Sequence, residues 1–398
     1  MRNRKRVGSL LAAAAALLAP GRVRGEASPV AIPFELANGH VLLTVEVDRR
    51  ELSFILDTGA PAAIIDRDRA AELGLALGSE FSVHGAGANV TTARVSGATY
   101  RVRGLPGFTG AIELAMPLHP MAPALGRDFD GVLGASFIRE FVVELDWESR
   151  TLRLHDRNTF VYRGAGAVVP IRLNSSGHPV LPATVTPIGG SPIAGDFVLD
   201  LGDNVAVSLR APFVSAHRLP GPSVKTVPAF AAGAGGPTNG SVGRVASIEL
   251  GGFAISRPLT VFSSDLHGAQ AMADVAGSVG QRIAERFTVF LDYGRSRLIL
   301  EPNARFREPD DRAFSGLALQ AFGADYRTFR VVHVAPGSAG ERAGIREEDV
   351  IASIDGRKAA EWTLSAILSL FEKPLPHRVR IRRNGKELEI AFTPGELV

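Results

Sequence analysis

Apolar residues recur at every second position, or in short unbroken runs, through most of this chain. Gly, Asn or Asp interrupts each run, which is the pattern of short β-strands joined by turns. Helical periodicity is confined to brief stretches: Asp66–Leu73, which Gly74 would stop, Ala135–Glu140 and Gln281–Arg286. The expected fold is therefore mainly β. Beyond Asp311 the pattern changes. Val331 to Ile345 reads as strand, short helix and glycine stop. Asp349 to Ile354 is a further strand, Asp355-Gly356 a tight turn, Trp362–Phe371 a longer helix, and Val379–Arg383 with Leu388–Phe392 a last hairpin. This segment is α+β and reads as a separate domain.

The N-terminal segment, Met1 to Ala27, has a different pattern again. Arg2, Arg4, Lys5 and Arg6 precede an apolar run, Val7 to Ala19, and a short polar stretch ends at Gly25-Glu26-Ala27. Charged, apolar and small-residue regions in that order are the layout of a secretory signal peptide. The run is shorter than the roughly 20 residues that cross a bilayer. The expectation is an exported, periplasmic or secreted protein, with membrane attachment only if the segment is retained.

The chain repeats itself. His40-Val-Leu-Leu-Thr-Val-Glu-Val leads to Phe54-Ile-Leu-Asp57-Thr58-Gly59, and His178-Pro-Val-Leu-Pro-Ala-Thr-Val leads to Phe197-Val-Leu-Asp200-Leu201-Gly202. Gly131-Val-Leu-Gly134 precedes Phe141 through Asp146-Trp147, as Gly277-Ser-Val-Gly280 precedes Phe287 through Asp292-Tyr293. The interval from Asp57 to Gly131 nearly equals that from Asp200 to Gly277, and the step from Gly131 to Phe141 equals the step from Gly277 to Phe287. Four landmarks in one order at nearly one spacing mark a duplication. Each copy also has a glycine-rich hairpin at a similar distance after its Asp-x-Gly: Gly85-Ala86-Gly87 in the first, and Gly233-Ala234-Gly235-Gly236 in the second.

Ile55-Leu56-Asp57-Thr58-Gly59-Ala60 resembles the active-site strand and turn of the retropepsin-like aspartic proteases, and Asp130-Gly131-Val132-Leu133-Gly134 resembles the apolar-Gly element that packs beneath it. The resemblance spans residues 31–303 as two lobes. It implies two pseudo-symmetric β-barrel lobes, 28–160 and 161–303, with Asp57 and Asp200 as the catalytic pair. Thr58, Gly59, Leu201 and Gly202 would support the two aspartate loops. Gly85, Ala86 and Gly87, with Gly233 and Gly235, would form flaps over a peptide or protein substrate. The implied activity is endopeptidase hydrolysis. One ionised aspartate takes a proton from water and the other, protonated, donates to the scissile carbonyl. Leu201 departs from the family, which has Thr or Ser there, so the hydrogen-bonded grip between lobes is expected to be asymmetric. Ala60 donates no hydrogen bond, and Asp203 adds a like charge; both push the pair upward and favour a weakly acidic to near-neutral optimum. Two other readings stay open: a catalytically degenerate peptide-binding protein, which Leu201 favours, and a protease whose dyad forms between two Asp57 residues in a homodimer.

Residues 312–398, after a link at 304–311, resemble a bacterial-type PDZ domain. That implies an extended C-terminal peptide ligand bound by strand addition. Its carboxylate-binding loop is expected at Gln320–Asp325. A structural appendage packed on the lobes is the alternative.

Charge and composition narrow the partners. The sequence pI is near 9.4, yet six cations and one anion lie in residues 1–27, so the remainder carries 38 against 40, or −2. Nucleic-acid binding loses its electrostatic support. The chain has no cysteine, which excludes disulfides, thiolate metal sites and cysteine nucleophiles. Its nine histidines show no His-x-x-x-His pair and read as surface or packing residues. No metal and no cofactor is expected.

Overall fold

A computed structural model describes residues 28–229, 231–308 and 314–396. Residues 1–27, where a signal peptide is expected, lie outside the described residues, as do 309–311 of the link. The two copies of the repeat fold alike. In the first, His40–Val47 and Arg50–Leu56 form an antiparallel pair, and Gly131–Leu133 inserts between Arg50–Leu56 and Ala63–Asp66. In the second, Pro179–Thr186 and Ile193–Asp200 pair likewise, with Gly277–Gly280 between Ile193–Asp200 and Val207–Leu209. The registers match: Gly131 sits beside Phe54 and Gly277 beside Phe197. Gly131 is required because a Cβ there would lie 2.4 Å from the Phe54 ring. The inserted strand is thus hydrogen-bonded directly beside the strand that leads to each aspartate.

A six-stranded sheet joins the lobes. Its order is Val30–Pro33, Thr151–Asp156, Phe141–Asp146, Phe287–Asp292, Arg297–Pro302 and Ala167–Pro170, three strands from each copy. The central pair places Val143 opposite Leu291 and Leu145 opposite Val289, all fully buried. One hydrophobic core runs continuously through this sheet and both lobes. Burial of such side chains contributes about 1.5–3 kcal/mol each, so the lobes are held together by packing without disulfides.

Each repeat sends out a hairpin toward the other. Ala76–His84 with Asn89–Ser96 is long; Ala231–Gly233 with Gly236–Thr238 is short. Their tips meet. Gly87 N–H lies 3.4 Å from the Ala234 carbonyl oxygen, and Ala269 N–H donates to the Gly85 carbonyl at 2.8 Å. A Cβ on Gly85 would stand 2.2 Å from the Ala234 oxygen, so this approach requires glycine.

The C-terminal domain has its own core, including Leu319, Phe329, Ile351, Ile367, Phe371, Ile381 and Phe392. Its sheet runs Leu317–Phe322, Thr328–Val334, Val350–Ile354, His377–Arg383, Lys386–Phe392. The Leu364–Phe371 helix begins at Thr363, whose Oγ1 accepts from Ala366 N–H at 3.1 Å. Asp355 and Gly356, at φ 50° and 82°, form the expected tight turn. One expectation is corrected. Gln320–Phe322 is the end of an edge strand and not a loop, because Leu317, Leu319 and Ala321 alternate into the core. Gly323–Asp325 lies in the turn after it. The link begins packed on the second lobe: Phe306 lies edge-on against Phe253 and tilted against Phe287.

This domain is seated on the lobes. The Ala122–Leu125 helix of the first lobe lies beside the Leu317–Phe322 edge strand, and Tyr326 packs into the cluster formed by Leu118, Ala122, Leu125 and Phe129. Asn38 N–H donates to Ser365 Oγ at 2.6 Å, and Arg282 of the second lobe pairs with Glu372.

Candidate active site

The paired-strand frame delivers Asp57 and Asp200 to one point. Asp57 N–H donates to the Leu133 carbonyl at 3.0 Å, which ties its loop to the inserted strand. Asp200 ends its strand opposite Gly280. Each carboxylate is then gripped from within its own loop: Gly59 N–H donates to Asp57 Oδ1 at 2.7 Å and Gly202 N–H to Asp200 Oδ1 at 2.9 Å. The loops cross over one another. A Cβ on Gly59 would lie 2.6 Å from Asp200 Oδ1, and one on Gly202 would lie 2.6 Å from Asp57 Oδ1. Both glycines therefore stand where the opposite carboxylate leaves no room for a side chain.

The two carboxyls lie together where the loops cross. Burial pushes Asp200 well above the usual carboxylate range, and the Asp57 charge beside it adds to the rise, followed by Asp203. A pair in this state holds one shared proton. Asp203 is itself anchored by Ser278 Oγ, which donates to Asp203 Oδ2 at 2.8 Å.

The grip between lobes is one-sided. Thr58, fully buried, donates from Oγ1 to the Leu199 carbonyl at 2.6 Å and accepts from Leu201 N–H at 2.9 Å. Leu201, 1% exposed, joins the apolar core instead. The flap residues Gly85, Ala86, Gly87, Gly233 and Gly235 come together at the two hairpin tips, where a Cβ on Gly233 would meet the Ala86 methyl at 2.9 Å and one on Gly235 the Ala88 carbonyl oxygen at 2.1 Å.

Several neighbours of the pair escape a reading of the sequence. His40 and His178 are half-buried packing residues: His40 Nε2 lies 3.1 Å from the Gly202 carbonyl oxygen, and the His178 Nε2 has no partner among the described residues. Burial pushes the His178 imidazole below its ordinary value, against the opposing pull of Asp57. Tyr293 is buried, its hydroxyl has no partner among the described residues, and burial followed by the Asp57 charge drives its ionisation upward. The available signal is positional: His40 and His178 open the two repeats, and Trp147 and Tyr293 close equivalent strands. Among the described residues, no group of three or more His, Asp or Glu is placed to hold a metal ion.

Comparison with known proteins agrees with this geometry over part of the chain. Residues 43–137 match the family model described as aspartyl protease, and residues 330–382 match that of the PDZ domain. The chain carries an aspartyl-protease domain and a PDZ domain. The solved structures it resembles include an aspartic proteinase from Irpex lacteus, at 12% identity and a TM-score of 0.42, over 71% of this chain and 99% of that one. No curated protein matches the chain. The aspartyl-protease match covers Asp57-Thr58-Gly59 and Gly131–Gly134 of lobe one. The duplicated frame repeats the same strand registers in the second lobe, around Asp200. The PDZ match covers most of the C-terminal sheet, including the Leu364–Phe371 helix.

Proposed function

We propose that this chain is an exported aspartic endopeptidase whose dyad is formed within one molecule by Asp57 and Asp200. The observation that supports it most is the reciprocal packing of each Asp-x-Gly glycine against the opposite carboxylate. Asp200, held protonated by burial and by the neighbouring charge, is the acid; Asp57 is the base. Asp57 removes a proton from the attacking water as Asp200 gives its proton to the scissile carbonyl oxygen. In the second half the gem-diol returns a proton to Asp200, and Asp57 protonates the leaving nitrogen. Atoms and charge then balance, and the pair is restored with one proton. The flap tips, closed on each other, must part to admit a peptide.

A second reading draws on Leu201: a cleft that binds chains without cutting them. Three proteins separate the readings, each assayed on unfolded protein from pH 3 to 8 with and without a transition-state-mimicking inhibitor. They are the chain without residues 1–27, its Asp57→Asn variant and its Asp200→Asn variant. Loss in both variants supports the intramolecular dyad. Loss in Asp57→Asn alone, with activity rising with dimer concentration, points to a pair of Asp57 residues. An inactive parent chain points to the binding protein. Sequencing the N-terminus of protein recovered from outside the cytoplasm tests export and cleavage near Ala27.

For the PDZ domain we infer a role in control. The free edge of Leu317–Phe322, where a peptide would add as a strand, lies against the Ala122–Leu125 helix. Among the described residues, no backbone hydrogen bond joins that edge to the lobe. The helix therefore covers the edge without pairing with it, and an apolar peptide C-terminus would have to displace it. Deleting residues 310–398 tests this: a change in turnover supports control, and unchanged turnover and substrate preference would mark the domain as an appendage.

A further inference from the structure

His40 and His178 occupy equivalent places in the two repeats, one residue after a glycine in the left-handed region, Gly39 at φ +88° and Gly177 at φ +82°. In the first lobe Asn38 and Gly39 form a tight hairpin turn that pairs Ala37 with His40. Both turn residues have positive φ, 40° and 88°, as that turn demands. The turn projects over the second lobe. His40 Nδ1 lies 3.1 Å from the Asn38 carbonyl oxygen and Nε2 lies 3.1 Å from the Gly202 carbonyl oxygen. Carbonyl oxygens only accept, so a ring with one hydrogen makes one of these bonds and a ring with a hydrogen on each nitrogen makes both.

The bond to Gly202 acts on the Asp200 loop. The peptide plane that carries the Gly202 oxygen also carries the Asp203 N–H, which donates to the Asp200 carbonyl at 3.3 Å. Fixing that plane fixes the turn around Asp200. This matters because Leu201 gives the second lobe no hydroxyl with which to reach the first. Thr58 reaches Leu199 and Leu201 from lobe one, and His40 reaches Gly202 from the same side. The turn that holds His40 is itself braced. Asn38 donates from Nδ2 to the Ala124 carbonyl at 2.8 Å and from its N–H to Ser365 of the PDZ helix.

We propose that His40 is a positioning residue for Asp200, tethering the second aspartate loop to the first lobe by donating from Nε2 to the Gly202 carbonyl, with the docked PDZ helix seating its turn. The proposal rests on the hydrolase reading for its kinetic consequence and on the ring geometry alone for its structural one. The test uses the chain without residues 1–27 and its His40→Ala, His40→Gln and His40→Leu variants. Turnover of an unfolded protein, melting temperature and the nitrogen-15 spectrum of labelled histidine are measured together. Misplacing a reacting group by an ångström costs up to about 100-fold. Expected are a fall in kcat of roughly 10-fold or more in Ala and Leu with KM within about two-fold, and partial recovery in Gln, whose amide N–H reaches one carbonyl. The parent spectrum should show a hydrogen on Nε2 of His40. Unchanged kcat in Ala overturns the proposal. So does equal loss in Ala, Leu and Gln that tracks a common fall in melting temperature, or a His40 ring with no hydrogen on Nε2. If the parent chain cleaves nothing, the hydrolase reading fails, and the Nε2 signal alone decides the tether.

Discussion

The two lobes share a frame but not its attachments. Their strand registers coincide from the first hairpin to the shared sheet. Yet the first lobe supplies Thr58 and His40 to the second, while the second returns a long bond from Asn204 Nδ2 to the Asn38 carbonyl at 3.4 Å, beside Leu201 and a His178 whose Nε2 has no partner among the described residues. Their equivalent loops also diverge. In lobe one, Asp66 caps the Arg67–Glu72 helix and accepts from Leu118 and His119 N–H, seating the Ala122–Leu125 helix that meets the PDZ domain. In lobe two, Gly268 and Ala269 clasp the opposite flap tip instead. Once two copies lie in one chain, each contact across the pseudo-dyad need be made only once. The difference between the lobes is then specialisation in gripping, with one aspartate kept in each.

The sharpest break of that comparison is at the aspartates. If the lobes are unequal in grip but equal in chemistry, Asp57→Asn and Asp200→Asn should each lower kcat by about a thousand-fold or more, as loss of general acid–base groups does. Retention of activity in Asp200→Asn would extend the inequality to the chemistry itself.

Next in size is the grip. Thr58→Val removes two buried hydrogen bonds and strands the Leu199 oxygen and Leu201 N–H, at a cost of about 2–4 kcal/mol in urea unfolding. Leu201→Thr, which restores the family hydroxyl, should also destabilise, by roughly 2 kcal/mol, because it removes packed apolar volume and buries a polar atom. A gain from Leu201→Thr would mean that the missing hydroxyl is a defect that His40 does not cover.

Much of this is legible in the residues. Alternation at period two, the Asp-x-Gly pair and the Gly131 and Gly277 landmarks carry the strands, the duplication and the meeting of Asp57 with Asp200, because local patterning dictates them. The turn at Asn38-Gly39 is equally readable as an Asn-Gly hairpin signal. Its consequence is not, since what His40 touches is 162 positions away. The helix Ala122–Leu125 is a single turn containing a Pro, too short for periodicity to reveal. The edge strand Leu317–Phe322 reads in part as a loop because polar Gln320 precedes the Gly323-Ala324-Asp325 turn, although Gln320 sits on the half-exposed side of the alternation.

Asp200 also carries a stability prediction. Its value in the folded chain is raised, so the folded state holds a proton that the unfolded chain releases between the ordinary carboxylate value and the raised one. The stability associated with this proton is fully present below the unfolded value and is lost as pH rises through the folded one. Asp200→Asn cannot ionise. It should therefore melt higher than the parent at pH 8, with the difference shrinking toward pH 4 even as activity is absent at both. A constant difference across that range would show that the shared proton is not what Asp200 contributes.

The smallest expected effect tests whether the PDZ domain is bound to both lobes or to one. Ser365 and Tyr326 attach it to lobe one, by a hydrogen bond and by apolar packing. Glu372 attaches it to Arg282 of lobe two, and both side chains remain about a quarter exposed, at 28% and 27%. A partly solvated pair of this kind contributes about 0–1 kcal/mol. Arg282 Nε also donates to the Asn204 carbonyl at 3.1 Å, so the guanidinium stays in place without its partner. Glu372→Gln should accordingly leave global unfolding within about 0.5 kcal/mol of the parent. Amide exchange at the Ser365 end of the helix should stay unchanged, because the packing of Tyr326 and the Asn38 bond survive. Release of the whole helix in that variant would show that lobe two, and not lobe one, holds the domain down.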